Sequence, residues 1–180
     1  MSASVARKRR ESKKEGEGGE KSKDLKIISV EVVTRDKVVK NPRQMALLYL
    51  IDRLGPIHER TLQIIAHELQ QRGAQLGYEF KIVAGVPYSP EFKNDLIALA
   101  YVGFVEVNPR RNRRLQTTND GKEALEKHGA PKGVVEVLEK HYEEIRNIAS
   151  LEDWKVDEHL KTIKQLKGAR RREPFGGLGF

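Results

Sequence analysis

Arg110, Arg111, Arg113 and Arg114 fall within five consecutive positions, interrupted only by Asn112 and preceded by Pro109. A guanidinium is planar, stays charged at any ordinary pH and pairs two N–H donors with two phosphate oxygens. Four of them without an intervening acid describe a surface for a polyanion rather than a bond-making site. The other reactive side chains are scattered. His58 and His67 stand nine residues apart, on or near one predicted helix, and do not face each other as metal ligands would. His128, His141 and His159 are spread over helical surfaces, and His141 with Glu144 reads as a surface pair. Cysteine is absent, so neither a thiolate nucleophile nor a cysteine zinc site exists. The run GEGGEK lacks the preceding strand that a phosphate-cradling glycine loop requires. The expectation is a non-enzymatic protein with no metal and no cofactor.

The charge is unevenly placed. Of a net +8, residues 1–24 hold eight Lys/Arg against five Asp/Glu, the segment 108–114 four arginines, and the last fourteen residues four basic against one acidic. The rest of the chain carries −2. Positive charge confined to two ends and one turn suits contact with phosphates. The front arm contains Arg7, Lys8, Arg9 and Arg10; the back arm contains Arg170, Arg171 and Arg172, followed by Phe175 and Phe180 among glycines. Such arms neutralise phosphates, and aromatic rings beside arginines stack on unpaired bases. Charged residues make up 33%, above the roughly 25% usual for soluble proteins. The longest apolar runs, such as MALLYLI, fall far short of the roughly 20 residues a membrane span needs. No signal-peptide pattern is present, and a cytoplasmic protein without membrane contact is expected.

These charges need a scaffold. Residues 1–24 have almost no apolar content and are expected to be disordered. The alternation of Ile28, Val30 and Val32 with polar neighbours predicts a strand. Asn41, Pro42 and Gly55 delimit a helix, and a second runs from about Glu59 to Arg72. A long connector, 73–88, is read with a short strand around 80–83. Ser89 and Pro90 open a third helix that ends at Gly103. Its outward positions are Lys93, Asn94, Ile97 and Tyr101, of which the first two read as base or phosphate contacts and the last two as packing positions. A hairpin carrying the arginines follows, then a helix capped by Asn119 and ended by Gly129 and Pro131. Two further amphipathic helices are predicted, the second starting at a capping-box-like SLED formed by Ser150 and Asp153.

Three helices followed by a two-stranded hairpin is the order of a winged helix. The run LIALAYVGFVEVNPRRNRRLQTTNDGKEALEKHG resembles the second half of MarR/PadR-type winged-helix domains of archaeal type. The matching residues are Leu99, Gly103, Phe104, Val105, the four arginines, Leu115, Thr118, Gly121 and Leu125, and the resemblance spans about 42–128. It implies that Lys93 and Asn94 sit on a recognition helix and that Arg110, Arg111, Arg113 and Arg114 lie on the wing. The connector segment GVPYSPEF is similar to that of Panacea-type domains, some of which bind protein rather than DNA.

The reading is an α+β, mainly helical chain: a disordered basic arm at 1–24, a winged-helix domain with an arginine-tipped wing at 25–130, C-terminal helices at 131–167 and a basic Gly/Phe tail at 168–180. The expected function is nucleic-acid binding, with double-stranded DNA favoured, as a transcriptional regulator or chromatin-associated factor. A ribosome-associated or structured-RNA-binding factor and a protein-interaction module are the alternatives. The helices of 131–167 either form a homodimer interface or pack on the protein's own core, covering the third helix.

Overall fold

The computed structural model describes residues 33–109 and 112–170. The expected strand at Ile28–Val32, the front arm, Arg110, Arg111 and the tail beyond 170 lie outside the described residues. The chain begins its described part with a short helix the sequence reading did not contain, α1 (Arg35–Lys40). Its Arg35 reaches away from it: Nε donates to the Val102 carbonyl at 3.2 Å and Nη2 pairs with Asp120 at 2.6 Å.

Helix α2 (Pro42–Leu54) starts where its local chemistry says it should. Asn41 Oδ1 accepts from Arg43 N at 3.1 Å, Pro42 occupies the first turn, and Gly55 leaves at φ +76. After α3 (Glu59–Gln71) the connector is packed down rather than loose. Ala74, Leu76 and Tyr78 are buried, and the Tyr78 ring meets Phe92 edge-on at 5.2 Å. The connector then forms β1 (Lys81–Val83) and β2 (Val86–Tyr88), an antiparallel pair turning on Ala84 and Gly85, both at positive φ. The single strand expected near 80–83 therefore has a partner.

Helix α4 (Pro90–Tyr101) is capped by Ser89, whose Oγ accepts from Phe92 N at 3.4 Å. It leads into the hairpin β3 (Val105–Asn108) and β4 (Arg114–Thr117), paired antiparallel from Val105↔Thr117 to Asn108↔Arg114. Ile57, in the link between α2 and α3, bridges to Leu115 through two backbone hydrogen bonds of 3.0 and 2.7 Å. That bridge fastens the hairpin to the helical body.

The cap of α5 (Asn119–His128) is Thr118 rather than Asn119. Thr118 Oγ1 accepts from Gly121 N at 3.2 Å and donates to the Gly103 carbonyl at 2.6 Å, so one hydroxyl joins the start of α5 to the end of α4. Gly121 has no room for a side chain: a Cβ there would stand 2.3 Å from the Phe104 carbonyl oxygen.

Helix α6 (Lys132–Lys140) is followed by α7 (Tyr142–Arg170), 29 residues long. No new helix begins at SLED. Ser150 lies inside α7 and its Oγ donates to the Arg146 carbonyl at 2.9 Å, a back-bond along the helix instead of a cap.

The core is built from Leu47, Leu48 and Ile51 of α2, Leu62, Ile65 and Leu69 of α3, and Phe92 and Leu99 of α4. Val134, Leu138, Ile145 and Ala149 join the same cluster, so α6 and the first half of α7 complete the protein's own core. They do so against α3, leaving α4 to pack on α2 and β3. Polar ties reinforce the arrangement, with Glu139 accepting from Tyr49 Oη at 3.0 Å and from Arg53 at 2.5 Å. Among the described residues no helix is long and apolar enough to cross a membrane.

Candidate nucleic-acid interface

The turn between β3 and β4 includes two residues in the left-handed region, Asn112 at φ +51 and Arg113 at φ +61. Asparagine tolerates that conformation; an arginine in it costs about 1 kcal/mol. The turn is nevertheless held, because Arg113 N donates to the Asn108 carbonyl at 3.1 Å. The Arg113 side chain is exposed, and no carboxylate pairs with its guanidinium among the described residues.

Arg114 is placed differently from the expectation that it grips phosphate. It is the first residue of β4, and its side chain is turned inward against α7 with 26% exposure. Nη1 pairs with Asp153 at 3.0 Å and contacts the Pro56 carbonyl at 3.3 Å, while Nη2 pairs with Asp157 at 2.6 Å. Asp153 and Asp157 stand one helical turn apart, so both carboxylates face the same guanidinium. Two acids and a carbonyl already engage Nη1 and Nη2, which sets Arg114 apart from the exposed Arg113.

The same two acids serve the start of α3. Asp153 Oδ1 accepts from His58 N at 3.1 Å, and the buried His58 ring places Nε2 3.0 Å from Asp157 Oδ1. Asn112 Nδ2 donates to Asp157 Oδ1 at 3.0 Å, and Lys164 Nζ donates back to Asn112 Oδ1 at 3.2 Å. Burial alone would raise the Asp157 carboxyl. Hydrogen bonds from His58, Arg114 and Asn112, with the Arg114 charge, overcome it and bring the pKa down to about 2. The β3–β4 hairpin is therefore clamped to α7 at the start of β4 and at Asn112.

On α4 the sequence reading of Lys93 and Asn94 meets an open face. Both are exposed, as are Ile97 (57%) and Tyr101 (71%), which do not pack on their own chain as expected. The opposite side of α4 carries Phe92, Leu96 and Leu99 in the core, together with the buried Asp95. Asp95 is held by Gln44 at 2.8 Å, by the Tyr78 hydroxyl at 3.0 Å and by Arg43 at 3.4 Å. Burial, then the Asp95 charge, drives the Tyr78 hydroxyl pKa upward, so that phenol remains a donor. This network fixes the rotation of α4 about its axis, and with it the outward direction of Lys93 and Asn94.

The remaining predicted site residues are placed more simply. Arg170 is the last residue of α7, which runs past the expected helix end at 167. Arg110, Arg111, Arg171, Arg172, Arg7, Lys8, Arg9 and Arg10 lie outside the described residues. His141 and Glu144 are 3.8 Å apart, but Arg72 binds both, so the pair is one corner of a bridge between α3 and α7. Among the described residues no group of three acids and histidines is arranged to hold a metal ion.

Sequence reasoning missed Asp153 and Asp157. A signal was present: Ile145, Ala149 and Asp153 follow one another at four-residue steps, so an acid interrupts an apolar stripe. An acid at such a position needs a cationic partner from elsewhere in the fold. No family model, curated protein or solved structure matches the chain.

Proposed function

We propose that this chain is a winged-helix protein that binds nucleic acid, double-stranded DNA in the first place, as a transcriptional regulator or chromatin-associated factor. The order α2, α3, the β1–β2 pair, α4 and then the β3–β4 hairpin, with Ile57 bridging to that hairpin, supports that reading. The observation that carries it is the open face of α4. The helix next to the wing in the fold, packed on β3, presents Lys93 and Asn94 outward and is left uncovered by the C-terminal helices. A helix that exposes Lys93 and Asn94 beside an arginine-bearing hairpin matches the shape and charge of a major groove and its flanking phosphates. Arg113, with Arg110 and Arg111 next to it in sequence, supplies the phosphate contacts. Arg114 acts as the structural anchor that holds them in position.

A second reading is favoured by Ile97 and Tyr101. Two large apolar side chains more than half exposed on one helix face also fit a protein-docking surface. The discriminating experiment is a titration of the full chain against labelled duplex DNA and structured RNA, each at low and moderate salt. Tighter duplex binding with a steep salt dependence is the expected result. A clear RNA preference would move the function to an RNA- or ribosome-bound factor. No binding to either at low salt would favour the protein-docking reading.

A further inference from the structure

From the composition of the open α4 face we infer that this protein prefers A·T base pairs and senses the thymine methyl group through Ile97. The inference deepens the DNA-binding reading above and rests on it. Asn94 and Ile97 are three residues apart and Lys93 and Ile97 four, so all three share one side of the helix with Tyr101. The chemistry of that side is restricted. Asn94 has an acceptor and a donor side by side, which matches adenine N6 and N7. Ile97, 57% exposed, offers branched methyl groups and no polar atom, the complement of the thymine C5-methyl. Guanine is read by arginine or lysine, and on this face Lys93 alone is of that kind, against Asn94 and Ile97 for an A·T pair. Cytosine would call for an acid. Asp95 is buried inward, and Glu91 lies outside the face, accepting from Ser89 Oγ at 2.9 Å. An exposed isoleucine also gains from losing water against a methyl group, which an exposed polar residue would not.

The test compares three labelled duplexes of equal length by fluorescence anisotropy, each at low and at moderate salt: an A·T-rich duplex, the same duplex with every thymine replaced by uracil, and a G·C duplex. Uracil pairs as thymine does but lacks the methyl. The wild-type chain should bind the thymine duplex about fourfold more tightly than the uracil duplex, the equivalent of one buried methyl group. It should bind the G·C duplex at least about fivefold more weakly than the thymine duplex. Ile97→Ala should bind thymine and uracil duplexes alike, and Asn94→Ala should lose most of the A·T preference. Arg113→Ala should weaken all three equally and keep both ratios. Salt-sensitive duplex binding that is indifferent to uracil would overturn the inference and leave the DNA reading standing. Failure to bind any of the three at low salt would overturn both.

Discussion

Arg114 and Asp157 meet at 2.6 Å across 43 residues of sequence, tying β4 to the long C-terminal helix. Because Asp153 shares the guanidinium at 3.0 Å and is itself only 8% exposed at its side chain, removing the cation strands two acids, one of them buried. Arg114→Ala should therefore destabilise the fold by about 2 kcal/mol, less than a fully buried pair would cost. In thermal unfolding that corresponds to a fall in Tm of roughly 4–8 °C for a domain of this size. A Tm within about 1 °C of wild type would show that the clamp contributes nothing.

Asp157 also sets a pH dependence. Its pKa is about 2 in the folded chain against 3.8 ordinarily, so the unfolded chain takes up the proton first as pH falls. The stabilisation is complete above about pH 5 and is lost progressively as pH drops toward about 2. With solvent screening it amounts to about 1–2 kcal/mol. Denaturant midpoints of wild type and Asp157→Asn should differ clearly at about pH 6 and converge near about pH 2. A gap that persisted at the acid end would mean that the asparagine variant suffers from lost packing and not from lost charge.

How much of this could be read locally follows from where the determinants lie. Asn41, Pro42 and Gly55 determine the ends of α2 within their own turn of chain, and Ser89 with Pro90 does the same for α4. Those signals need no tertiary partner. The β3–β4 hairpin was legible because Leu115 alternates with polar neighbours. The SLED segment misled because a serine three residues before an acid has the same pattern in a cap and in mid-helix. Only the fold brings Arg114 to Asp153, and that contact decides which applies. The open face of α4 had the same difficulty: Ile97 and Tyr101 look like core residues until the C-terminal helices are seen on α3.

Two glycines make a paired prediction. Gly121→Ala would bring Cβ to 2.3 Å from the Phe104 carbonyl oxygen and 2.8 Å from Thr117 Cγ2, so backbone must move at the junction of α4, the β3–β4 hairpin and α5. A loss of about 3 kcal/mol is expected, at the upper end for overpacking. Gly133→Ala in α6 meets nothing within 4 Å and should be neutral or stabilising by about 0.5–1 kcal/mol. Chemical denaturation of the two variants side by side checks both, and equal effects would contradict the close approach at Gly121.

Leu138 is fully buried in the common core although it lies in the C-terminal helices. Leu138→Ala should cost about 2–5 kcal/mol, and the loss should be the same at low and high protein concentration. A loss that vanished on dilution would indicate that α6 is stabilised by a second copy and not by α3.

Arg113 and Arg114 are adjacent in sequence, and stability and binding should separate between them. Arg113 is exposed and holds φ +61, a conformation that glycine adopts without penalty. Arg113→Gly should leave stability unchanged or raise it by up to about 1 kcal/mol. It should also weaken duplex binding across sequences and reduce the slope of log K against log salt by about 1. The double change Arg110→Ala with Arg111→Ala should reduce the slope by about 2 on the same grounds. Arg114→Ala should do the reverse, lowering Tm while the salt slope stays near that of wild type, because its charge is already neutralised by Asp153 and Asp157. Melting curves and salt titrations of the same preparations decide the matter. A slope lowered by Arg114→Ala and untouched by Arg113→Gly would exchange the roles of the two arginines and move the phosphate contact from the wing tip to its base.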